Sequence, residues 1–235
     1  MDRSFLINRC ESISVKLDDT ALSRFEQFEI LLLEKNKVMN LTAITQPDEV
    51  VIKHFWDSLT VLGAVDIPQG ASVIDVGTGG GFPGIPLLIA RPDIKLTMLD
   101  STRKKLDFID FALQELSLTA ATVHARAEEA GQGELRESFD FAVSRAVASL
   151  NVLSEYCLPF VAPGGTFCAM KGSKGPEELA EAEGAVRLLG GEVSEKKLLR
   201  LEYLGERTLI SIKKISHTPT KYPRPSAQIS KKPLK

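Results

Sequence analysis

The sequence predicts an α/β fold of the doubly wound kind, an open and mostly parallel sheet with helices on both faces. Three observations predict it. Short, nearly continuous apolar runs recur at 72–76 (SVIDV), 95–99 (KLTML), 120–124 (AATVH), 139–143 (FDFAV) and 166–170 (TFCAM), as in parallel strands covered on both faces. Helical stretches separate these runs, giving the strand–helix alternation of crossover units. A glycine-rich turn, Gly77-Thr78-Gly79-Gly80-Gly81-Phe82-Pro83-Gly84, follows the first run at once. Ligands of open α/β sheets sit beyond the carboxyl ends of the strands, and the first exit loop is the usual place.

The elements follow in order. Residues 20–39 place Leu22, Phe25, Phe28 (or Ile30) and Leu32 at helical spacing. A second helix is predicted over 47–62. Pro47 suits its first position, Asp48 and Glu49 its first turn, and Gly63 its stop. Between the strands, helices are predicted over 84–91, 102–117, 149–161 and 176–189, the second with one apolar stripe of Leu106, Ile109, Leu113 and Leu116. Two last strands, near 192–200 and 207–213, are joined by a short connection containing Gly205 and predict a hairpin that adds an antiparallel edge. The last stretch, HTPTKYPRPSAQISKKPLK, holds four Pro and reads as an ordered arm or a flexible tail rather than a packed element. The organisation expected is a helical N-terminal extension (1–65) packed on a core domain (66–215), then a basic tail (216–235).

A chain of 235 residues, 43% of them hydrophobic, suits one such domain with a modest addition. No run of 18 apolar residues occurs, so no transmembrane helix is expected, and the charged N-terminus does not read as a signal peptide. Cys10, Cys157 and Cys168 are far apart and form no CxxC. That argues against a disulfide framework and a zinc site and fits a reducing cytoplasm. No long exposed apolar seam is evident, which favours a monomer. The net charge is −2, but from Arg207 to the end there are eight Lys or Arg and no Asp or Glu. An acidic body with a basic end suggests a polyanionic partner reached locally.

Glycine at the turn permits positive φ and removes the Cβ that would hold a ligand off the backbone. Gly79, Gly81 and Gly84 satisfy GxGxxG, the dinucleotide fingerprint, which is weak alone. In register with the strand the turn reads DxGxGxG: Asp75, Gly77, Gly79, Gly81. With Asp100 closing the next strand, this resembles the S-adenosylmethionine site of class I methyltransferases. A carboxylate near the turn would welcome the α-ammonium and sulfonium, and Asp100 would accept from the ribose hydroxyls. An acid at Asp100 would equally suit a nicotinamide enzyme.

More of the chain carries a resemblance. VIDVGTGGGFPGIPLLIARP (73–92), HARAEE (124–129), FDFAVSRAVASL (139–150), APGGTFCAMKG (162–172), NLTAIT (40–45), HFWDSL (54–59) and the tail KYPR…KKPL together resemble the RsmG (GidB) family, bacterial 16S rRNA guanine-N7 methyltransferases. The resemblance implies a class I methyltransferase domain, S-adenosylmethionine as cofactor, and a guanosine in the decoding region of 16S rRNA as substrate. It implies cofactor contacts at Gly77, Phe82, Ala127, Glu128 and Arg145, and raises His54, Asp57 and Ser58 as residues of the pocket mouth. A packed or capping His54 is the plainer reading, and Trp56 reads as core. Arg145 is assigned to cofactor positioning or to guanine O6, because bonding N7 would occupy the reacting atom. Lys171 and Arg224 are candidate substrate contacts, Lys171 reading equally as a surface residue. Arg103, Lys104, Lys105, Lys35 and Lys37 are candidates to face RNA. The tail departs from the family pattern at Ala227 and Ile229, where Gly and Pro are usual.

Guanine N7 offers an in-plane lone pair and no proton, so an in-line methyl transfer needs no general base and can rest on alignment. The fourth strand leads into Val143-Ser144-Arg145-Ala146, not into the NPPY-type segment common in amino-methylating enzymes. The alternatives carried from the sequence are an NAD(P)-linked oxidoreductase and a non-catalytic ribosome-assembly binding protein.

Overall fold

The computed structural model describes residues 1–145, 148–201 and 205–235. Ala146, and residues 202–204 of the connection between the last two strands, lie outside the described residues. Among the described residues, seven strands form one sheet: β1 (Ser72–Val76), β2 (Lys95–Asp100), β3 (Ala121–His124), β4 (Phe139–Arg145), β5 (Val161–Lys171), β6 (Gly191–Leu201) and β7 (Gly205–Lys214), in the order β3-β2-β1-β4-β5-β7-β6. β1 to β5 are parallel, β7 runs antiparallel to β5, and β6 antiparallel to β7. The predicted antiparallel edge is therefore present. Strand order reverses between β1 and β4, where Asp75 pairs with Val143. Their exit loops diverge there and open a crevice.

Alternation along β1 divides the core. Val73 faces a cluster shared with the N-terminal helices, while Ile74 and Val76 face the cluster under the helices that follow β4 and β5. The helices between strands are α5 (Gly84–Ala90), α6 (Arg103–Glu115), α7 (Ala127–Ala130), α8 (Leu150–Cys157) and α9 (Gly175–Leu188). They follow the helices of the N-terminal segment. The predicted stripe Leu106, Ile109, Leu113 and Leu116 is buried. The predicted helix over 149–161 ends early, because Pro159 sits in a 3₁₀ turn (Leu158–Phe160) that hands the chain directly to β5.

The N-terminal segment contains α1 (Arg3–Glu11), α2 (Asp19–Met39), α3 (Pro47–Val50) and α4 (Asp57–Leu59). Asp18 caps α2 by accepting from the Ala21 amide at 2.7 Å, and Asn40 ends it in the left-handed conformation. Leu22, Phe25, Phe28 and Leu32 are buried, while Ile30 is exposed. Phe25 and Phe28 each contribute about 2–3 kcal/mol of transfer free energy. Phe28 reaches the glycine turn, its ring 5.4 Å from that of Phe82. The helix predicted over 47–62 is not uniform. A π turn, Val51–Trp56, joins α3 to α4, and a 3₁₀ turn, Thr60–Gly63, ends it. Every residue from His54 to Val61 is buried, Trp56 among them, so this segment is enclosed on all sides.

The C-terminal segment differs from the expectation of an arm or a flexible tail. It packs. Tyr222 and Ile229 are buried, and Ser226–Lys231 form α10. Long-range polar bonds tie the backbone down. Arg136 donates to the carbonyls of Thr218 (2.6 Å) and Tyr222 (2.7 Å), and Asn151 to that of Leu234 (3.0 Å). The buried Lys214 ammonium donates to Glu137, to the carbonyls of Leu158 and Val161, and to the Thr218 hydroxyl. Ile229, where the family pattern has Pro, is the fully buried residue of α10. The departure thus supplies an apolar anchor.

Candidate active site

A cavity of about 740 Å³ opens at the crevice, within the range of small-molecule sites. Four groups of residues wall it: the glycine turn after β1, Asp100 to Lys105 after β2, Ala125 to Glu128 after β3, and Arg145 at the end of β4. Leu41, Thr42 and His54 of the N-terminal segment close one side, and Ser226 and Ser230 of α10 line another part.

The turn is built from inside. Asp75 is fully buried, and its Oδ2 accepts from the Gly84 amide at 2.9 Å. Burial pushes its carboxyl up to about 6, against the Thr78 hydroxyl, the Gly84 N–H and the Arg145 charge, which favour the ionised form. Gly84 has no room for a side chain: a Cβ there would lie 2.8 Å from Asp75 Oδ2 and 3.0 Å from Met98 Sδ. The remaining amides at the helix start are also taken. Ile85 donates to the Gly81 carbonyl, Leu87 to that of Pro83, and Pro86 has none.

This corrects one expectation. Asp75 does not reach the cavity wall; it stands behind the turn and holds it. The helix after the turn does not offer free N–H groups either, because its start is stoppered by a carboxylate and two prolines. A dinucleotide pyrophosphate needs just those donors. Gly81, with φ of 94°, is likewise behind the wall, where a Cβ would meet Ile85 Cδ1 at 2.6 Å. Gly79, with φ of 60°, is the bare position: it lines the cavity and a Cβ there would meet nothing within 4 Å.

Asp100 lies on the wall. Its Oδ2 accepts from the Gly79 amide at 2.9 Å and its Oδ1 from the Thr102 amide at 2.8 Å. Each oxygen keeps a lone pair for a diol. Gly77, Ala127 and Glu128 line the cavity with it. A bare Gly79, a diol acceptor at Asp100 and the buried carboxylate of Glu128 fit the adenosyl portion and positive charge of S-adenosylmethionine.

Arg145 is held from behind. Its Nη1 donates to Asp57 Oδ2 and to the Lys53 carbonyl, each at 3.1 Å, and its Nη2 to His54 Nδ1 at 3.0 Å. Its guanidinium lies 5.1 Å over the Phe82 ring, which stacks on His54 at 4.2 Å between centroids. Asp57 therefore does not meet the cavity; it accepts from Arg145 and, at 3.0 Å, from Arg207. Burial and the adjacent Arg145 charge bring the His54 imidazole down to about 3, so it is neutral at physiological pH. His54 is packed and also lines the cavity.

Two candidate substrate residues are committed elsewhere. Lys171 pairs with Glu178 at 2.7 Å and donates to the Ala148 carbonyl at 2.5 Å. The Arg224 guanidinium forms a fork on the buried Glu155, at 2.8 and 2.7 Å, and its amide bonds the same carboxylate. Their charges face partners in the fold rather than the cavity. Of the basic residues singled out, Lys105 lines the cavity, Lys104 and Lys37 are exposed, Arg103 pairs with Asp107 at 3.7 Å, and Lys35 lies over Phe111. Residues missed by sequence reasoning are Thr42, Tyr156, Ser226 and Ser230, all on the cavity wall. Thr42 stood inside the quoted NLTAIT segment without a role, and its spacing to His54 carries no signal until the π turn brings the two together.

Comparison with known proteins gives the same picture. The family described as rRNA small subunit methyltransferase G matches residues 21–209. Curated relatives named ribosomal RNA small subunit methyltransferase G include that of Alkaliphilus metalliredigens, 47% identical over 99% of both chains. That of Staphylococcus aureus is 43% identical over 100% of this chain and 99% of its own. Among solved structures, the [4+2]-cyclase SpnF matches with a TM-score of 0.54 at 15% identity, covering 68% of this chain and 82% of its own. The antibiotic-resistance methyltransferase Kmr matches at 0.50 and 20%, covering 63% and 88%. The structural matches show the fold, that of class I S-adenosylmethionine-dependent methyltransferases. On the span and identity of the sequence matches, the chain belongs to the rRNA small subunit methyltransferase G family.

Proposed function

We propose that the protein transfers a methyl group from S-adenosylmethionine to N7 of a guanosine in the decoding region of 16S rRNA, acting in the cytoplasm as a monomer on the small ribosomal subunit or its RNA. The observation that supports this reading best is the cavity at the β1/β4 crevice in a chain of this family, with bare backbone at Gly79 beside the Asp100 carboxylate. Bound there, the cofactor would supply an activated methyl group on a sulfonium. Gly77, Gly79, Phe82, Asp100, Ala127 and Glu128 would hold it, and Arg145 would stiffen the Phe82–His54 wall beside it. Asp75 and Gly81 shape the turn from behind.

The chain's own part in the chemistry is alignment. N7 has no proton to remove, so no base is called for. His54 is not free to serve as one, because both ring nitrogens are engaged, Nδ1 by Arg145 and Nε2 by Thr42. Lys105 supplies positive charge at the cavity wall, and a phosphate backbone held by it and by the exposed Lys104 and Lys37 would bind more weakly as salt rises.

The oxidoreductase reading is disfavoured by the stoppered helix start, whose amides are taken by the Asp75 carboxylate and by backbone carbonyls. The antiparallel β7 between β5 and β6 also departs from the all-parallel dinucleotide order. The decisive experiment has two arms. Melting of the purified protein should rise with S-adenosylhomocysteine and stay unchanged with NADH. Small-subunit rRNA from cells lacking the protein should gain 7-methylguanosine when the protein and S-adenosylmethionine are added. Cofactor binding without any methyl incorporation would instead establish the assembly-factor reading.

A further inference from the structure

The cavity wall contains a hydroxyl whose hydrogen bonds are specified by its surroundings. Thr42 follows α2 and is held at its backbone by Asn36, whose side-chain amide accepts from the Thr42 N–H and donates to the Thr42 carbonyl, both at 2.9 Å. Thr42 Oγ1 lies 2.7 Å from His54 Nε2 and accepts from the Ile44 amide at 3.0 Å. The direction of the His54 bond follows from Arg145. Guanidinium nitrogens only donate, so His54 Nδ1, 3.0 Å from Arg145 Nη2, is the acceptor. The neutral ring then carries its proton on Nε2 and donates it to Thr42.

Thr42 Oγ1 thus receives two N–H bonds, which fill the accepting capacity of a hydroxyl. Its own proton is left over. Among the described residues no acceptor takes that proton, and Thr42 lines the cavity. The side chain therefore presents a donor, and only a donor, to whatever enters. An aromatic base edge with a carbonyl oxygen satisfies it. An exocyclic amino group in the same place would face it donor to donor, leaving both unpaired.

We propose that Thr42 selects the base. Its hydroxyl donates to O6 of the guanine whose N7 is methylated, which orients the N7 lone pair toward the methyl donor without occupying it. Asp57, Arg145 and His54 act through Thr42 as positioning residues, setting which way the hydroxyl proton points. This rests on the rRNA guanine reading above and adds the residue that discriminates the base.

The test compares the full-length wild type with Thr42→Val and Thr42→Ser. Three quantities are read: kcat and KM on small-subunit rRNA lacking the modification, the Kd of S-adenosylhomocysteine by calorimetry, and inhibition by guanosine against 2-aminopurine riboside, which keeps N7 but lacks O6. Thr42→Val should lose about tenfold in kcat/KM, the size of one hydrogen bond at a base edge, with cofactor-product affinity within twofold. Wild type should prefer guanosine over 2-aminopurine riboside by a similar factor, and Thr42→Val should lose that preference. Thr42→Ser should stay near wild type in all three. A Thr42→Val enzyme that keeps its preference for guanosine overturns the proposal. So does a parallel loss of S-adenosylhomocysteine affinity, which would give the hydroxyl to the cofactor, or a Thr42→Ser enzyme as impaired as Thr42→Val. A wild type that forms no 7-methylguanosine overturns the function reading, and this inference with it, before any variant is compared.

Discussion

Gly79→Ala separates the fold of the glycine turn from its use. Gly79 has φ of 60° and lines the cavity, and a Cβ there would meet no atom of the protein within 4 Å. The folded chain therefore pays only the backbone term, about 1–2 kcal/mol for an L-residue in the left-handed region. For a chain of this size that is a fall of about 2–8 °C in Tm. The new methyl group stands in the cavity, however, at the place assigned to the cofactor. Forcing an extra methyl into a filled contact costs about 1–3 kcal/mol, so the Kd of S-adenosylhomocysteine should rise roughly 5- to 150-fold. Calorimetry and a thermal melt on the same preparation measure both quantities. Gly81→Ala is the control, since its Cβ would lie 2.6 Å from Ile85 Cδ1 at a φ of 94°; it should lose more stability than Gly79→Ala. A Gly79→Ala protein that melts slightly early yet binds S-adenosylhomocysteine as tightly as wild type would refute the placement of the cofactor against this turn.

Glu155→Ala removes the carboxylate that receives three bonds from Arg224 and leaves that guanidinium without its partner. Arg224 is 18% exposed and can be partly rehydrated, so the loss falls at the low end for a broken buried pair, about 3 kcal/mol, or roughly 6–12 °C. Limited proteolysis should then cut within 216–235, and an uncut segment at unchanged Tm would count against the clamp. The buried His54 makes a pH prediction. Its folded value of about 3 lies below the ordinary 6.5, so the unfolded chain binds a proton that the folded chain refuses. The contribution is complete above pH 6.5 and is lost as pH falls toward 3, at about 1.4 kcal/mol per unit. Between pH 6.5 and 5, urea unfolding should show wild type losing about 2 kcal/mol more than His54→Phe; equal losses would mean the imidazole is protonated in the fold.

The alternation of apolar runs and helical stretches made the sheet legible, because a strand buried on both faces has few other ways to look. The last two strands were legible as a hairpin from the short connection containing Gly205. The cavity was half legible. Gly79 and Asp100 lie on the wall where the spacing put them, and Phe82 and Arg145 where the family resemblance put them, since each ends a strand or lies in the turn that follows. Asp75 was misread because a strand residue faces one side or the other, and only the packing of Gly84 against it shows which. Arg224 and Lys171 were misread because their carboxylate partners are not visible in local pattern; Glu155 lies 69 residues from Arg224. Charge counting along the tail treated those cations as available when the fold had already neutralised some of them. Thr42 was out of reach for another reason: its role depends on a proton location set by Arg145, one imidazole away.

The cavity is walled by segments from nearly opposite ends of the chain, Leu41, Thr42 and His54 on one side and Ser226 and Ser230 of α10 on another. During translation the seven strands are complete before α10 leaves the ribosome. The sheet can thus form ahead of its last wall, and competence to bind arrives after competence to fold. A protease that trims the molecule just past β7 would remove Ser226 and Ser230 from the wall and leave the chamber open on one flank.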